Sequence, residues 1–310
     1  MSEFIHQPVL AAEVLNALKP QPGGRFADGT IGGAGHAASI LAASSPTGWL
    51  YGCDRDGAAV EAAQRRLVEE FAGRFELRRG NFSELAAWIP GSSCDGVLLD
   101  LGVSSPQLDL PGRGFSFQQD GPLDMRMDDR QLLTAADLVN GESAEALAGI
   151  FWKFGEERQS RRFAKALVED RAARKFETTR QLAGLIERLA PRGGRKAHPA
   201  TKVFQALRLA VNDELGSLRR GLEAAVKILK PGGRLAVITF QSLEVRELRA
   251  FAREWTRDYT FSGPVDVPEL RQPRVPELKW VSRKAILPGE EELSVNPRAR
   301  SSQLQVLERL

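Results

Sequence analysis

Arg25-Phe-Ala-Asp28-Gly-Thr-Ile-Gly-Gly-Ala-Gly35-His36 is the stretch on which the fold turns. A short apolar segment closes on a carboxylate and runs into four glycines before the chain becomes helical, the pattern of a β-strand feeding a ligand-binding turn at a helix start. Working outward, Trp49 to Asp54, Phe75 to Arg79 and Cys94 to Asp100 are further short apolar segments. Helical stretches such as Gly57 to Ala72 separate them. This β-α-β-α alternation predicts an α/β fold, a Rossmann-like doubly wound parallel sheet with right-handed crossovers.

A fifth strand is expected from Arg234 to Phe240, after a helix from about Ser217 to Leu229 that Lys230-Pro-Gly-Gly233 brings to a stop. More than 130 residues lie between Asp100 and Arg234, far more than a normal crossover, so an insertion is required. Its Gly/Pro/Asp-rich entry gives way to helical spacing over Ala135 to Asn140, Ala144 to Phe154, Arg158 to Ala173, Thr179 to Leu189 and Ala200 to Leu215. Lys279 to Ile286 and Gln303 to Glu308 read as two late antiparallel strands at the sheet edge. The expected organisation is therefore 1–106 and 215–310 forming one domain, with 107–214 a helical subdomain inserted in it.

Composition narrows the function classes. With 42% hydrophobic and 27% charged residues, the chain fits a globular protein. It has no apolar run of membrane-spanning length and no signal-like start, so no membrane partner and a cytoplasmic location are expected. Cys53 and Cys94 sit in apolar segments and, with three histidines, share no metal-ligand spacing, so no metal is expected. The net charge of +3 is uneven: residues 151–202 hold 14 Lys+Arg against 6 Asp+Glu, leaving the rest of the chain at −5. Such a segment is either a solvated helical face or a surface for phosphates.

The glycine turn alone serves a dehydrogenase or a methyltransferase equally. Asp54, closing the second strand, suits both, because a carboxylate accepts the two ribose hydroxyls that NAD and S-adenosylmethionine (SAM) share. Asp100, in Asp100-Leu-Gly-Val-Ser104-Ser105-Pro106, favours methyl transfer, since a nicotinamide enzyme has no comparable need for an acid closing the fourth strand.

Beyond these patterns, long strings run from end to end of the chain: His6-Gln-Pro-Val-Leu10, Asp28 to His36, Asp100 to Leu108, Arg113-Gly-Phe-Ser-Phe117, Gly121-Pro-Leu-Asp-Met-Arg-Met-Asp128, Gly155-Glu-Glu-Arg158, His198-Pro-Ala-Thr201 and Asn296-Pro-Arg-Ala-Arg-Ser-Ser302. In them the sequence resembles the bacterial 16S rRNA cytosine-N4 methyltransferases, the RsmH/MraW family. The resemblance implies a class I SAM-dependent methyltransferase domain interrupted by a helical substrate-binding subdomain. It also implies SAM as cofactor, 16S rRNA of the small subunit or its precursor as partner, and a monomer or homodimer. By the same resemblance Ala34, Gly35, His36, Asp54, Phe82, Asp100 and Gln107 line the SAM pocket. Two departures stand out: Gln241 and Val245, in Thr239-Phe-Gln-Ser-Leu-Glu-Val-Arg246, replace the family's His and Asp, and Gln305 stands where the family tends to have Arg.

The chemistry of such a reaction singles out further residues. A cytosine N4 lone pair is delocalised and poorly nucleophilic, so alignment with the methyl group carries the catalysis. Asp100 is the candidate to orient the amine and take its proton, with Ser104 and Ser105 as additional hydrogen-bonding groups or simple turn formers. Phe115, Phe117 and Trp152 are candidates to stack an extruded base, against an ordinary core role. Asp124, Asp128 and Asp129, with Arg126 and Arg130, are read as a loop ordering the site or as a self-paired surface. Two other function classes stay open: a nicotinamide-dependent oxidoreductase, and an RNA-binding ribosome-assembly factor with weak or lost activity.

Overall fold

A computed structural model of the chain describes residues 8–191, 198–262 and 265–310, and of Ser105 the backbone only. The chain divides into two compact units: 1–102 with 215–310, and 103–214. His6 and Gln7 of the first motif, and Arg192, Arg195 and Lys196 of the basic segment, lie outside the described residues.

The first unit opens with α1 (Ala11–Leu18) and alternates β1 (Arg25–Asp28), α2 (Gly35–Ala43), β2 (Trp49–Asp54), α3 (Gly57–Phe71), β3 (Phe75–Arg79) and β4 (Cys94–Asp100). The second unit carries α4 (Ser105–Asp109), α5 (Ala135–Gly141), α6 (Ala144–Gly155), α7 (Ser160–Ala173), α8 (Thr179–Leu189) and α9 (Thr201–Val211). The chain then returns through α10 (Glu214–Ile228), β5 (Leu229–Thr239), α11 (Ser242–Trp255), β6 (Tyr259–Phe261), β7 (Arg271–Pro273), β8 (Leu278–Ile286), α12 (Glu290–Val295) and β9 (Gln303–Arg309).

Seven strands form one sheet in the order β3-β2-β1-β4-β5-β9-β8, while β6 and β7 pair as a separate ribbon. The first five are parallel, β9 runs antiparallel to β5, and β8 antiparallel to β9. This is the doubly wound class I methyltransferase sheet expected from the sequence, with β9 inserted between β5 and the edge strand β8. Alternate side chains explain its two covered faces. Phe26, Leu50, Leu98 and Ile238 point into a core with α1, α2 and α3, where Val14, Ile40 and Leu67 are fully buried. Ala27, Cys53, Val97, Leu99 and Val237 point the other way, against Leu218 and Leu222 of α10 and Leu248 and Phe251 of α11.

Two expectations change. The proline and glycines of Lys230–Gly233 do not precede the fifth strand but lie within it. Leu229 pairs with Cys94 and Arg234 with Gly96, so the extra residues are absorbed as a bulge while pairing continues on both sides. The helix expected from Ala200 to Leu215 is broken into α9 and α10, because Asp213 adopts φ +45 just after Asn212. The Asn212 side chain uses its groups at that break: its Oδ1 accepts from the Met127 N–H at 2.8 Å and its Nδ2 donates to the Met125 carbonyl at 2.8 Å.

The helical unit has its own core, in which Phe151, Phe163, Leu167, Leu182, Ile186 and Leu207 interdigitate with Phe115, Leu123 and Met125 of the loop before α5. Thr134, Ser143 and Thr178 cap α5, α6 and α8 through their hydroxyls, as the residues before each apolar run should. Gly114 shapes the loop: its φ is +73, and a Cβ there would stand 2.3 Å from the Pro122 carbonyl oxygen and 2.7 Å from the Asp124 nitrogen. Gly114→Ala is expected to cost roughly 2–4 kcal/mol, since both contacts are backbone and the dihedral is left-handed. Urea denaturation checks it, and a loss under about 0.5 kcal/mol would show that the loop yields.

Candidate functional site

Three carboxylates close three neighbouring strands. Asp28 ends β1, Asp54 ends β2 and Asp100 ends β4, and the parallel register sets Asp28 beside Gly52 and Leu98. Parallel strands all present their C-terminal ends at one edge, so the fold itself gathers these groups. Asp28 is buried; its Oδ1 accepts from the Thr30 backbone N–H at 3.0 Å and from the Thr30 hydroxyl at 3.4 Å. The Thr30 Oγ1 in turn accepts from the Asp100 backbone N–H at 2.7 Å. A single hydroxyl thereby ties the end of β1 to the end of β4.

Asp54 holds the glycine turn in shape. Its Oδ2 accepts from the Gly32 N–H at 3.0 Å and its Oδ1 from the Asp56 N–H at 2.9 Å. Within the turn Ala34 takes φ +60, an unusual conformation for a residue with a Cβ, and its carbonyl accepts from Ala38 as α2 begins. α2 starts without a side-chain cap, which leaves the first-turn N–H groups as donors of the kind that bind an anionic group. A Cβ built on Gly33 would meet nothing within 4 Å, whereas one on Gly35 would touch Pro8 at 3.1 Å.

His36, on the first turn of α2, is buried and brings its Nε2 to 3.7 Å from the Asp100 Oδ2. The other oxygen, Oδ1, is buried with no hydrogen-bond partner, although the side chain as a whole is 26% exposed. A buried acceptor left unmade is costly, so this oxygen is the feature of the site that asks for a ligand. Burial, with the negative charges of Asp28 and Glu244 nearby, raises the Asp100 pKa to about 8. Burial likewise raises Asp28 to about 7 and Asp54 to about 6, each against hydrogen bonds that favour the ionised form.

Phe82 follows β3 and lies half-buried on the core face that α10 covers. A Cβ on Gly221 of α10 would fall 2.2 Å from its ring and one on Gly29 2.7 Å from its Cβ, so two glycines make the seat for this side chain. Ala34, Gly35, His36, Asp54, Phe82 and Asp100 are thus all carried by the sheet-bearing unit. Ser104, Ser105 and Gln107 belong to the helical unit, where Gln107 is buried and its Oε1 accepts from the Ser104 N–H at 3.0 Å, capping α4.

The remaining candidates separate. Phe115 is core, 7% exposed, which removes it as a stacking surface. Phe117 packs within the unit, its ring centroid 4.7 Å from those of His198, tilted to it, and Phe204, edge-on to it. Trp152 is 62% exposed and is the one of the three that solvent reaches over most of its surface. Asp124 and Arg126 form a close pair at 2.7 Å, as do Asp128 and Arg130, and the Arg126 guanidinium also holds the carbonyls of Asp129 and Gln131. Those charges order their own loop. Gln305 is 2% exposed inside the sheet, so a contact from it to RNA is ruled out. Gln241 is the N-cap of α11, where it forms a reciprocal capping pair with Glu244; the Glu244 carboxylate accepts from the N–H groups of Phe240 and Gln241. Sequence reasoning missed Thr30 and Glu244 as neighbours of Asp100. The Asp-x-Thr turn was a local signal for the first, but nothing in the sequence brings α11 to β4.

The family model described as MraW methylase family matches residues 3–310. A protein of Syntrophotalea carbinolica named ribosomal RNA small subunit methyltransferase H is 49% identical over 99% of this chain and 98% of its own length. A protein of the same name from Paramagnetospirillum magneticum is 46% identical over 100% of this chain and 97% of its own. Among solved structures, a putative rRNA methylase from Clostridium thermocellum is similar at 10% identity with a TM-score of 0.45, over 99% of this chain and all of that one. The chain belongs to the MraW methylase family, which makes it a SAM-dependent methyltransferase and sets aside the nicotinamide reading.

The raised carboxylates set the pH dependence of the cofactor-free protein. A carboxylate whose folded pKa lies above its unfolded value binds more protons folded than unfolded. Its contribution to stability is therefore present at low pH and lost as pH rises, here between about 4 and about 8. Asp100→Asn, which cannot ionise, should gain stability relative to the parent as pH goes from 5 to 9. Urea titrations at both pH values check this, and a parent–variant difference that stays constant would mean that Asp100 is not held against ionisation.

Proposed function

We propose that this chain transfers the methyl group of SAM to the exocyclic N4 amine of a decoding-site cytidine in small-subunit ribosomal RNA, with Asp100 as the group that receives the amine. The names of its relatives support ribosomal RNA of the small subunit as the substrate class. The observation that carries the reading is the buried, unpartnered Asp100 Oδ1 at the end of β4. It has the chemistry of an acceptor for an N–H donor.

The residues present fit the cofactor. Asp54 keeps lone pairs beyond its two turn contacts for ribose hydroxyls, Phe82 offers a ring face to adenine, and Gly33 leaves open space along the turn. The uncapped start of α2, at Gly35 and His36, suits a carboxylate. When bound, SAM supplies an electrophilic methyl on a positively charged sulfur. Asp100 in its ionised form accepts an N4 hydrogen, aligning a weak nucleophile that has few other means of activation. With the methyl taken up by the amine, Asp100 would receive the surplus amine proton, and its carboxylate would become a neutral acid. The environment that raises the Asp100 pKa favours that loss of charge. His36, beside Oδ2, positions the carboxylate. Ser104 and Ser105 remain candidate hydrogen-bonding groups of the substrate side, with Gln107 holding the turn that carries them.

We assign RNA holding to the helical unit, on its charge and on Trp152, which is exposed, as are Lys153, Arg158, Arg161 and Arg162 of the same unit. A base-stacking aromatic flanked by cations is the usual means of gripping an unpaired strand. The reading as an assembly factor without activity finds no support at Gln241, whose side chain caps α11 and leaves the carboxylates of the site in place.

Nucleoside mass spectrometry of ribosomal RNA from cells with and without this gene tests the whole reading, because it reports base, atom and polymer together. N4-methylcytidine unchanged by deletion would end it. Asp54→Ala is expected to weaken SAM binding by roughly 2–4 kcal/mol, the sum of two charge-assisted contacts, as calorimetry will show. Asp100→Asn is expected to slow single-turnover transfer at saturating SAM by about a hundredfold or more, with RNA affinity nearly intact. Transfer at the parental rate would move the search for the proton acceptor to Ser104 and Ser105.

A further inference from the structure

The outer flank of α11 carries a charge pattern that the methyl-transfer site does not use. Arg246, Arg249 and Arg253 recur at intervals of three and four, are exposed, and lie opposite the face on which Leu248, Phe251 and Ala252 enter the core. They occupy about 10 Å of helix. Of the acids on this helix, Glu247 stands between Arg246 and Arg249 in the sequence, and Glu254, next to Arg253, is paired with Arg219 at 2.5 Å.

Where α11 ends, the flank continues into a cleft whose lining includes Arg253, Glu254, Arg257, Tyr259, Phe261 and Arg274. The ribbon of β6 and β7 forms its wall, with Tyr259 opposite Pro273 and Phe261 opposite Arg271. The ribbon is fastened to the helix end: the Arg274 N–H donates to the Asp258 carbonyl at 2.8 Å and the Glu277 N–H to the Trp255 carbonyl at 3.1 Å. Inside, the Arg257 guanidinium lies over both Tyr259 (4.9 Å) and Phe261 (5.4 Å), and Arg271 lies over Tyr259 at 4.2 Å. One carboxylate, Asp266, serves this whole ladder. It accepts from the Tyr259 hydroxyl at 2.7 Å and from Arg271 at 2.8 Å, and stands 3.6 Å from Arg257. The Arg274 guanidinium donates to the backbone carbonyl of Glu254 at 3.2 Å. Four guanidinium groups, of Arg253, Arg257, Arg271 and Arg274, thus gather about two acids, Asp266 and the Arg219-paired Glu254, and two of the four lie over aromatic rings. At about 270 Å³ the open cleft has room for a phosphate and the edge of a base, less than a drug-sized ligand needs.

We propose that this flank, from Arg246 to the cleft walled by Tyr259 and Phe261, is a second RNA-binding surface, taking the phosphate backbone of the ribosomal RNA away from the target cytidine. The choice of RNA rests on the function proposed above; the anion-binding character rests on the arginines themselves. Charge spaced along a helix and ending at stacked aromatics matches a phosphodiester strand with unpaired bases. A membrane surface would call for large apolar side chains between the arginines of the helix flank, where the described exposed residue is Ala250. α11 starts directly after β5, beside the strand that Asp100 closes, so a strand bound along its flank is led from the site's edge of the sheet toward the cleft.

The test uses the full chain and a double variant, Arg253→Glu with Arg274→Glu. Filter binding measures affinity for a small-subunit ribosomal RNA transcript at several salt concentrations. The variant should bind roughly tenfold more weakly at low salt, and the slope of log affinity against log salt should fall by about 1 to 2, as expected for two lost phosphate contacts. Single-turnover transfer at saturating RNA, SAM affinity and thermal midpoint should match the parent. Arg253→Gln with Arg274→Gln should lose less affinity and the same share of the salt slope. Parental affinity and slope in both variants would overturn the proposal, as would weaker binding with an unchanged slope. A parent that binds this RNA but transfers no methyl to it defeats the proposed function instead, while the comparison of salt slopes still decides the surface.

Discussion

The hydroxyl of Thr30 stands between two strand ends that the active site cannot do without. It accepts from the Asp100 backbone and donates to the buried Asp28 carboxylate, so the position of Asp100 at the close of β4 is locked to the close of β1. Threonine suits this place because one oxygen both gives and takes a hydrogen bond. The lock also explains why Asp28 is tolerated in the interior. Its carboxylate is satisfied by Thr30 twice over, and the cost of burial is expressed as a raised pKa rather than as a broken strand. The neighbouring Asp54 does the same for the glycine turn, where its two oxygens hold Gly32 and Asp56. Turn, strand end and helix start are thus one hydrogen-bonded assembly, beside which the Asp100 Oδ1 is a buried acceptor with no hydrogen-bond partner.

Three acids within one edge of a sheet oppose one another, and none has a lysine or arginine as its main partner. In a structural cluster that arrangement would be a defect. It becomes useful if the occupant is a cation, because a positive sulfur beside the carboxylates offsets both their repulsion and their desolvation. Glu244 belongs to this balance. It holds the strand-to-helix turn after β5 through the N–H groups of Phe240 and Gln241, and its charge adds to the forces raising Asp100.

Much of the sheet was legible from the sequence because each strand is short, apolar and bounded by a glycine turn or a carboxylate. β1, β2, β3 and β4 begin and end where the apolar segments do. The late strands β8 and β9 were legible too, to within a residue at either end. What misled was punctuation. Lys230-Pro-Gly-Gly233 has the chemistry of a stop, yet the pairing of Leu229 with Cys94 carries the strand through it as a bulge, a long-range outcome that local residues do not encode. Asp213 has no glycine to announce its positive φ, and the helix read through it is two helices. Among the site residues, the acids at strand ends could be found because parallel topology alone brings them together. The fate of Phe115 depended on which face of a loop the helical core would claim, and that of Gln305 on β9 lying inside the sheet rather than at its edge.

The two departures from the family pattern at the start of α11 illustrate how a site keeps its geometry while its sequence drifts. An N-cap needs a side chain that accepts from the first turn, and an amide oxygen does so without a titratable proton. Gln241 meets that need, and its reciprocal partner Glu244 is present to take the strand-end N–H groups. Val245 sits one position further, where a carboxylate would have favoured the positive end of the helix, so its loss removes a modest electrostatic contribution and no hydrogen bond of the cap. The lost imidazole and carboxylate were both titratable, whereas the capping pair that survives works through one amide and one acid. A helix start built this way holds the chain directly after β5 through the Glu244 carboxylate, whose charge also reaches Asp100 and adds to the forces that raise its pKa.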